Sequence, residues 1–284
     1  MPNMKIINLD SKYVPTPAQL SFAENVIEFG EHEPMRSEDS LAVLASEIPI
    51  FLLSAKGMDK TDRVGASSSM DFWGFYCHEL PIGTSRKPAI GLCLERMIGS
   101  CKTEEELTIL FAKVLIHELA HAKMTMHPGA DYGPPDEFYA WMEEPMANLI
   151  VLETFDCYQR CHQHSASRRD SAPPFSTIAS PLAQVRLFME MQPDNYRLGI
   201  DLFDTGLRKA WWNIWRRYKS QFSDESKYKW IEYTKANVGK ADKGKLFGKF
   251  GQQILALPVH CWEADPHFFG WIDEVKRIKS ENAS

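Results

Sequence analysis

The chain has 284 residues, 44% of them hydrophobic and 25% charged, a composition typical of a folded globular protein and not of a disordered one. Its length suits one large domain or two of ordinary size. The formal net charge of −6 at pH 7 argues against nucleic acid and anionic membrane surfaces as partners.

The amino-terminal residues, the apolar runs and the cysteines indicate in which cellular compartment to expect the protein. Residues 1–5 show no basic segment followed by an apolar one, so we expect no secretory signal. No apolar run approaches the roughly 18 residues that a membrane-spanning helix needs, so we expect no membrane partner. The six cysteines are sparse and unevenly spaced, which favours reduced thiols over a disulfide framework. These features predict a cytoplasmic protein.

The first part of the chain alternates short predicted strands and helices, and we interpret residues 1–69 as an N-terminal α/β lobe. The predicted elements are a strand at 5–9, a helix at 18–29, a short helix at 37–45 and a strand at 48–53. The polar, small-residue stretch 57–69 predicts a surface loop or a boundary between the lobe and the next region.

Two further strands are predicted at 71–78 and 88–95, with turn-forming residues between them at 81–86. Such a hairpin would lead directly into the next helix. The exposed edge of a strand can hold an extended peptide through main-chain hydrogen bonds, so a hairpin in this place favours a peptide-binding role.

The helix that follows is the most informative stretch of the sequence. Thr103 with Glu106 three residues later predicts its start, because a hydroxyl and a carboxylate at this spacing cap a helix. Apolar residues fill most positions from Leu107 to Ile116, which predicts a helix buried on nearly all sides. It ends in an H-E-x-x-H motif formed by His117, Glu118 and His121.

This motif has a direct chemical interpretation. Residues four apart lie on one face of a helix, so His117 and His121 can offer both imidazoles to one metal ion. Glu118 can reach a metal-bound water and act as general base. Two imidazoles with a carboxylate and an open position suit Zn²⁺, so we predict a zinc site. Buried histidines that only hydrogen-bond to their neighbours are the structural alternative.

The rest of the chain is predicted to be largely helical. After a loop at 127–135, Asp136 and Glu137 open a helix reaching about residue 160, in which Pro145 predicts a kink or a fresh start. Residues 165–176 have the composition of a linker. Helical patterns at 181–191 and 196–218, shorter ones beyond them and six tryptophans predict a packed helical region at 166–284. The tryptophans are Trp211, Trp212, Trp215, Trp230, Trp262 and Trp271.

The third metal ligand has three candidates. Glu144 begins the run Glu144-Pro145-Met146-Ala147-Asn148, with Glu143 a less favoured substitute. His127 lies six residues after His121, where metzincins place a histidine, but Met124 stands where those proteins need glycine to turn. Asp131 lies in a segment similar to one in the aspzincins, although it is a residue short.

The run beginning at Glu144 resembles the gluzincin zinc metallopeptidases, with the ImmA/IrrE-like intracellular peptidases the nearest. In that group a glutamate on a later helix opens an E-x-x-A-[DN] pattern, which Glu144, Ala147 and Asn148 match. The resemblance implies that Glu144 is the third ligand and that Asn148 supports the ligands from behind. Pro145 departs from the pattern. The resemblance covers about residues 73–155, less than a third of the chain.

Two weaker features complete the candidates. An oxyanion donor beyond the metal could be Tyr132, Tyr139 or His260, and nothing in the sequence selects among them. A C-x-x-x-C-H-x-H cluster holds Cys157, Cys161, His162 and His164; it is a conceivable second metal site, although an isolated cluster is more often incidental.

These observations predict an α+β protein with a zincin-like metallopeptidase core at 70–165, consisting of a small antiparallel sheet and the H-E-x-x-H helix, followed by the helical region at 166–284. The predicted function is zinc-dependent peptide hydrolysis with Glu118 as general base and a peptide or protein as substrate. One alternative is a binding or regulatory protein on a metallopeptidase scaffold, with a non-catalytic zinc and an unknown protein partner. Another is a metal hydrolase of small amides.

Overall fold

The computed structural model describes residues 4–30, 40–61, 73–82, 85–125, 137–166, 180–205 and 235. They form four strands and eight helices, in the order β1 (Ile6–Asn8), α1 (Pro17–Gly30), α2 (Leu41–Glu47), β2 (Ile50–Leu52), α3 (Ala55–Thr61), β3 (Gly74–Ile82), β4 (Ser85–Leu92), α4 (Leu94–Ser100), α5 (Glu104–Thr125), α6 (Glu137–Ala166), α7 (Pro181–Glu190) and α8 (Asp194–Thr205). The protein is therefore α+β, as predicted.

The chain divides into two compact units. The first is drawn from Met1–Pro134 and Ile150–Met191, and the second from Pro135–Leu149 and Gln192–Ser284. The predicted domain boundaries after residues 69 and 165 stay predictions. None of the helices in the described ranges combines the length and the apolar character that crossing a membrane requires.

A four-stranded sheet in the order β1-β2-β4-β3 forms part of the first unit. The hairpin of β3 and β4 is antiparallel, but β2 is parallel to both β1 and β4. The prediction of an antiparallel sheet is thus right for the hairpin and wrong for the rest. The physical reason is that β1 reaches β2 through helices, and a helical crossover returns a strand in the parallel direction.

One face of this sheet forms the core of the first unit. Ile50 and Leu52 of β2 and Ile90 and Leu92 of β4 are all completely buried. Because side chains alternate along a strand, Phe75 of β3 lies on the other face, where it packs against the buried cluster of Leu53, Met58 and Cys93. Helix α5 packs against β3 and β4 and against helices α1, α2, α4 and α7.

Helix α1 begins at a hydrogen-bonded cap and packs against α6. Before α1, the backbone N–H of Gln19 donates to Thr16 Oγ1 at 3.2 Å and the backbone N–H of Thr16 donates to Gln19 Oε1 at 2.9 Å, a reciprocal cap. Further along, Phe22 of α1 packs with Phe155 and Tyr158 of α6, with ring centroids 6.4 and 5.8 Å apart. These contacts join the first and sixth helices within the first unit.

Two short helices differ from the sequence-based expectation. The stretch predicted as a loop from residue 57 is helical as far as Thr61, within α3. There Ser54 Oγ accepts the backbone N–H of Gly57, and Glu95 accepts that of Ala55, so side chains outside the helix satisfy its first donors. Helix α4 was not predicted, because the alternating apolar residues of β4 continue into Leu94.

Candidate metal centre

Helix α5 carries the H-E-x-x-H motif and is buried as predicted. Thr103 Oγ1 accepts the backbone N–H of Glu106 at 3.1 Å, which confirms the predicted cap. The Glu106 carboxylate accepts the backbone N–H of Lys102 instead of that of Thr103. Every residue from Leu107 to Ala120 is buried. The motif therefore lies at the end of fourteen consecutive buried positions, where unsatisfied polar groups are costly.

The two motif histidines lie against each other on this helix. Their Nε2 atoms are 3.2 Å apart, and their rings meet edge to face with centroids 4.8 Å apart. His117 is only 6% exposed, whereas His121 is half-buried. The pair thus presents both Nε2 atoms to one point, as the four-residue spacing predicts.

Glu144 of α6 completes a three-residue group with these histidines. One ligand atom from each of His117, His121 and Glu144 lies within 4.8 Å of the other two. Two imidazole nitrogens bound to zinc at about 2.0–2.1 Å in tetrahedral geometry lie about 3.3–3.4 Å apart. The observed 3.2 Å is close to that value, so the residues present fit a metal ion of this kind.

The segment that carries Glu144 is held by α8 in the second unit. Helix α6 runs continuously through Pro145, so a fresh helix start there is excluded. Asn195 Nδ2 donates to the carbonyl oxygen of Ala140 at 3.3 Å, near the position where the proline removes a helical hydrogen bond. Gly199 lies so close that a Cβ there would be 2.9 Å from the Pro145 carbonyl oxygen. These contacts fix the backbone on both sides of Glu144.

Asn148 belongs to the same arrangement. It is completely buried, and its Nδ2 donates to the carbonyl oxygen of Tyr196 at 2.9 Å. Gln192 Oε1 lies 3.5 Å from the same nitrogen. The side chain thus anchors α6 to the beginning of α8, and its predicted support of the metal ligands stays a prediction.

Glu118 is the remaining polar residue of the motif. It is 6% exposed and follows His117 directly on α5. Its burial agrees with the predicted burial of the helix, and its role as general base stays a prediction.

Several predicted site residues lie outside the described residues: His127, Asp131, Tyr132 and His260, and the side chains of Tyr139, His162 and His164. The six tryptophans from Trp211 to Trp271 and Cys261 lie outside them as well. The alternatives to Glu144 as third ligand, and the named oxyanion donors, therefore stay predictions.

The cysteines within the described ranges are free thiols. Cys157 is buried and Cys161, one turn later on α6, is exposed. Burial, and secondarily the neighbouring Cys161 thiol, raises the pKa of Cys157 to about 11. The second metal site suggested by Cys157, Cys161, His162 and His164 stays a prediction, because the side chains of both histidines lie outside the described residues.

Two further contacts, one made by α5 and one within β3, were not predicted. Lys113, one turn before His117, is only 1% exposed, and its ammonium lies 5.6 Å from the centroid of the Trp73 ring. Tyr76 and His78 of β3 are joined by a contact of 3.3 Å between Tyr76 Oη and His78 Nδ1. The alternation of β3 could have placed Tyr76 and His78 on one face, whereas nothing in the sequence pairs Lys113 with Trp73.

Comparison of the chain with models of protein families, with curated proteins and with solved structures finds no match. The resemblance to gluzincins therefore stays a prediction that depends on the motif residues alone. His117, His121 and Glu144 form a group that could bind a metal ion.

Proposed function

We propose that the protein is a zinc-dependent metallopeptidase that hydrolyses peptide bonds. The observation that carries the proposal is the convergence of His117, His121 and Glu144, whose ligand atoms lie within 4.8 Å of one another beside the buried Glu118. Two imidazoles and one carboxylate with an adjacent acid are the ligand set of a catalytic zinc site, which keeps one position for water or substrate.

The chain's own residues divide the work as follows. His117, His121 and Glu144 would hold the zinc ion, which when bound polarises a carbonyl group and lowers the pKa of water to about 7. Glu118 would accept the proton from the attacking water and deliver it to the leaving amine nitrogen. Strand β3 lies at one edge of the described sheet and packs against α5, so its outer edge can hold an extended peptide by main-chain hydrogen bonds.

The ligand set is tested by the metal content of purified protein, measured by mass spectrometry. We expect about one zinc per chain in the parent and a loss of zinc in Glu144→Ala. Glu143→Ala is the matched control because it removes a neighbouring carboxylate from the same helix. Asp131→Ala and His127→Ala test the alternative ligands. A parent chain without zinc after reconstitution, or zinc retained in Glu144→Ala, contradicts the proposed site.

The role of Glu118 is tested separately from metal binding. We expect Glu118→Gln to retain zinc and to lose cleavage of a peptide library that the parent cleaves, while Glu143→Gln retains both. Full activity of Glu118→Gln would refute the mechanism. Zinc in the parent without turnover of any peptide would instead favour the regulatory protein, if a stable protein partner is present, or the small-amide hydrolase, if small amides are cleaved.

A further inference from the structure

Cys157 and Cys161 form a pair of thiols on one face of α6. They lie one helical turn apart, a spacing at which Cβ atoms are about 5–6 Å apart, and their side chains are hydrogen-bonded to each other. Both are free thiols. Cys157 is 3% exposed, whereas Cys161 is exposed to solvent. The pair therefore offers two adjacent sulfur atoms, one of which a solute can reach.

The position of the pair within a helix disfavours a disulfide between the two residues. A disulfide requires Cβ atoms about 3.5–4.5 Å apart, which is closer than one helical turn allows, so the backbone of α6 would have to move. The ion pair of Arg160 with Asp156, 2.8 Å between Nη2 and Oδ2, joins the same turn of the helix and opposes such a movement. A cation bound between the two sulfur atoms spans the distance and leaves the helix intact.

The surroundings of the pair favour a cation with a strong preference for sulfur. Burial raises the pKa of Cys157 to about 11, so a cation must bind sulfur strongly to displace this proton. The Arg160 guanidinium favours the thiolate of Cys157, and the Asp156 carboxylate opposes it. Among the metals that thiolates select, Cu(I) is satisfied by two sulfur ligands, whereas zinc in a structural site takes four ligands.

We propose that Cys157 and Cys161 bind a Cu(I) ion between their two sulfur atoms. On binding, each thiol forms a sulfur–copper bond and releases its proton to the solvent. One Cu(I) ion and two thiols thus give a bis-thiolate complex with one negative charge and two free protons, and no electron is transferred. The inference does not rest on the proposed peptidase function, because its ligands are distinct from His117, His121 and Glu144.

The test is competition for Cu(I) between the protein and a chromophoric Cu(I) chelator, without oxygen and with a reductant that contains no thiol. We expect the parent to take Cu(I) from the chelator and Cys161→Ser to bind it at least about 100-fold more weakly, because losing a ligand costs no less than losing a residue that supports one. Cys157→Ser should show the same loss at a temperature where circular dichroism shows it folded. Cys101→Ser is the matched control, because burial also raises the pKa of Cys101 to about 11, and it should bind Cu(I) like the parent.

X-ray absorption at the copper edge gives a second readout. With equimolar Cu(I) bound to the parent, we expect two sulfur ligands and no nitrogen ligand. Nitrogen ligands would mean that the histidines hold the copper, and would overturn the proposal. Equal Cu(I) affinity of the parent and Cys161→Ser, or a parent that takes no Cu(I) from the chelator, would overturn it as well. The zinc content of Cys161→Ser should equal that of the parent, which separates this site from the one on α5.

Discussion

Replacing Gly199 by alanine should weaken metal binding although Gly199 is not a ligand. A Cβ at this position would lie 2.7 Å from Cβ of Asn148 and 2.9 Å from the carbonyl oxygen of Pro145. Ordinary contacts begin near 3.4 Å, so α6 and α8 must separate locally by about 0.5 to 0.7 Å. A metal site tolerates changes of only about 0.2 Å in its metal–ligand distances. Because Glu144 directly precedes Pro145, the separation of the helices at Pro145 would also shift Glu144. We expect zinc affinity to fall by about 10- to 100-fold, as for other changes that misplace a ligand.

The assay is competition for zinc between the protein and a chromophoric chelator, at a temperature where circular dichroism shows the variant folded. Gly99→Ala is the matched control, because no atom of the described residues lies within 4 Å of the position its Cβ would take. Ala147→Gly loosens α6 without adding an atom and tests whether any change in this helix has the same effect. Zinc affinity of folded Gly199→Ala within twofold of the parent would refute the inference that α8 positions Glu144.

Three further predictions concern stability and reactivity. Gly30→Ala should destabilise the fold by about 1–3 kcal/mol in urea unfolding, because the new Cβ would lie 2.3 Å from Cγ2 of Thr154. Gly99→Ala, the control, should instead stabilise the fold by about 0.5–1 kcal/mol. Equal effects of the two substitutions would contradict the packing argument. Thr103→Ala should cost about 1 kcal/mol by removing the cap of α5, and Thr103→Ser should not. Because the pKa of Cys157 is raised from 9.0 to about 11, its alkylation by iodoacetamide at pH 8 should be at least about 100-fold slower than that of a peptide thiol and should rise with pH up to about 11. The folded state holds the Cys157 proton to higher pH than the unfolded chain, so the free energy of unfolding should decrease as pH rises between these two pKa values. Prompt labelling of Cys157 at pH 8 would contradict the raised pKa.

Local patterns predicted the elements that depend on local physics. The cap at Thr103 and the continuous apolar run after it predicted both the start of α5 and its burial. The alternating residues of β3 and β4 predicted the hairpin. In each case the sequence pattern that carries the prediction lies within one segment, where periodicity and capping chemistry are informative.

Other features depend on contacts between distant segments, which the sequence does not encode locally. The parallel pairing of β2 with β4 joins segments separated by two helical or strand elements, and neither strand carries a pattern that specifies direction. The closeness of Gly199 to Pro145 likewise follows from how α8 lies on α6 within the second unit. A glycine in a helical pattern can have several structural or functional reasons, and the sequence alone does not show that Gly199 is needed for close packing against the neighbouring helix.

The structural alternative to a metal site is a hydrogen bond between the two histidines. A separation of 3.2 Å between His117 Nε2 and His121 Nε2 also suits one N–H donor and one nitrogen acceptor. That bond accounts for two of the polar groups at the end of a buried helix, but it requires neither the carboxylate of Glu144 within 4.8 Å nor a buried Glu118. A metal ion with its water engages all four side chains at once.

The two interpretations also differ thermodynamically, because a metal bound only by the folded chain stabilises it in proportion to the logarithm of the free metal concentration. A chelator would therefore lower the unfolding temperature of the protein if the histidines bind a metal ion, and would leave it unchanged if they only hydrogen-bond to each other.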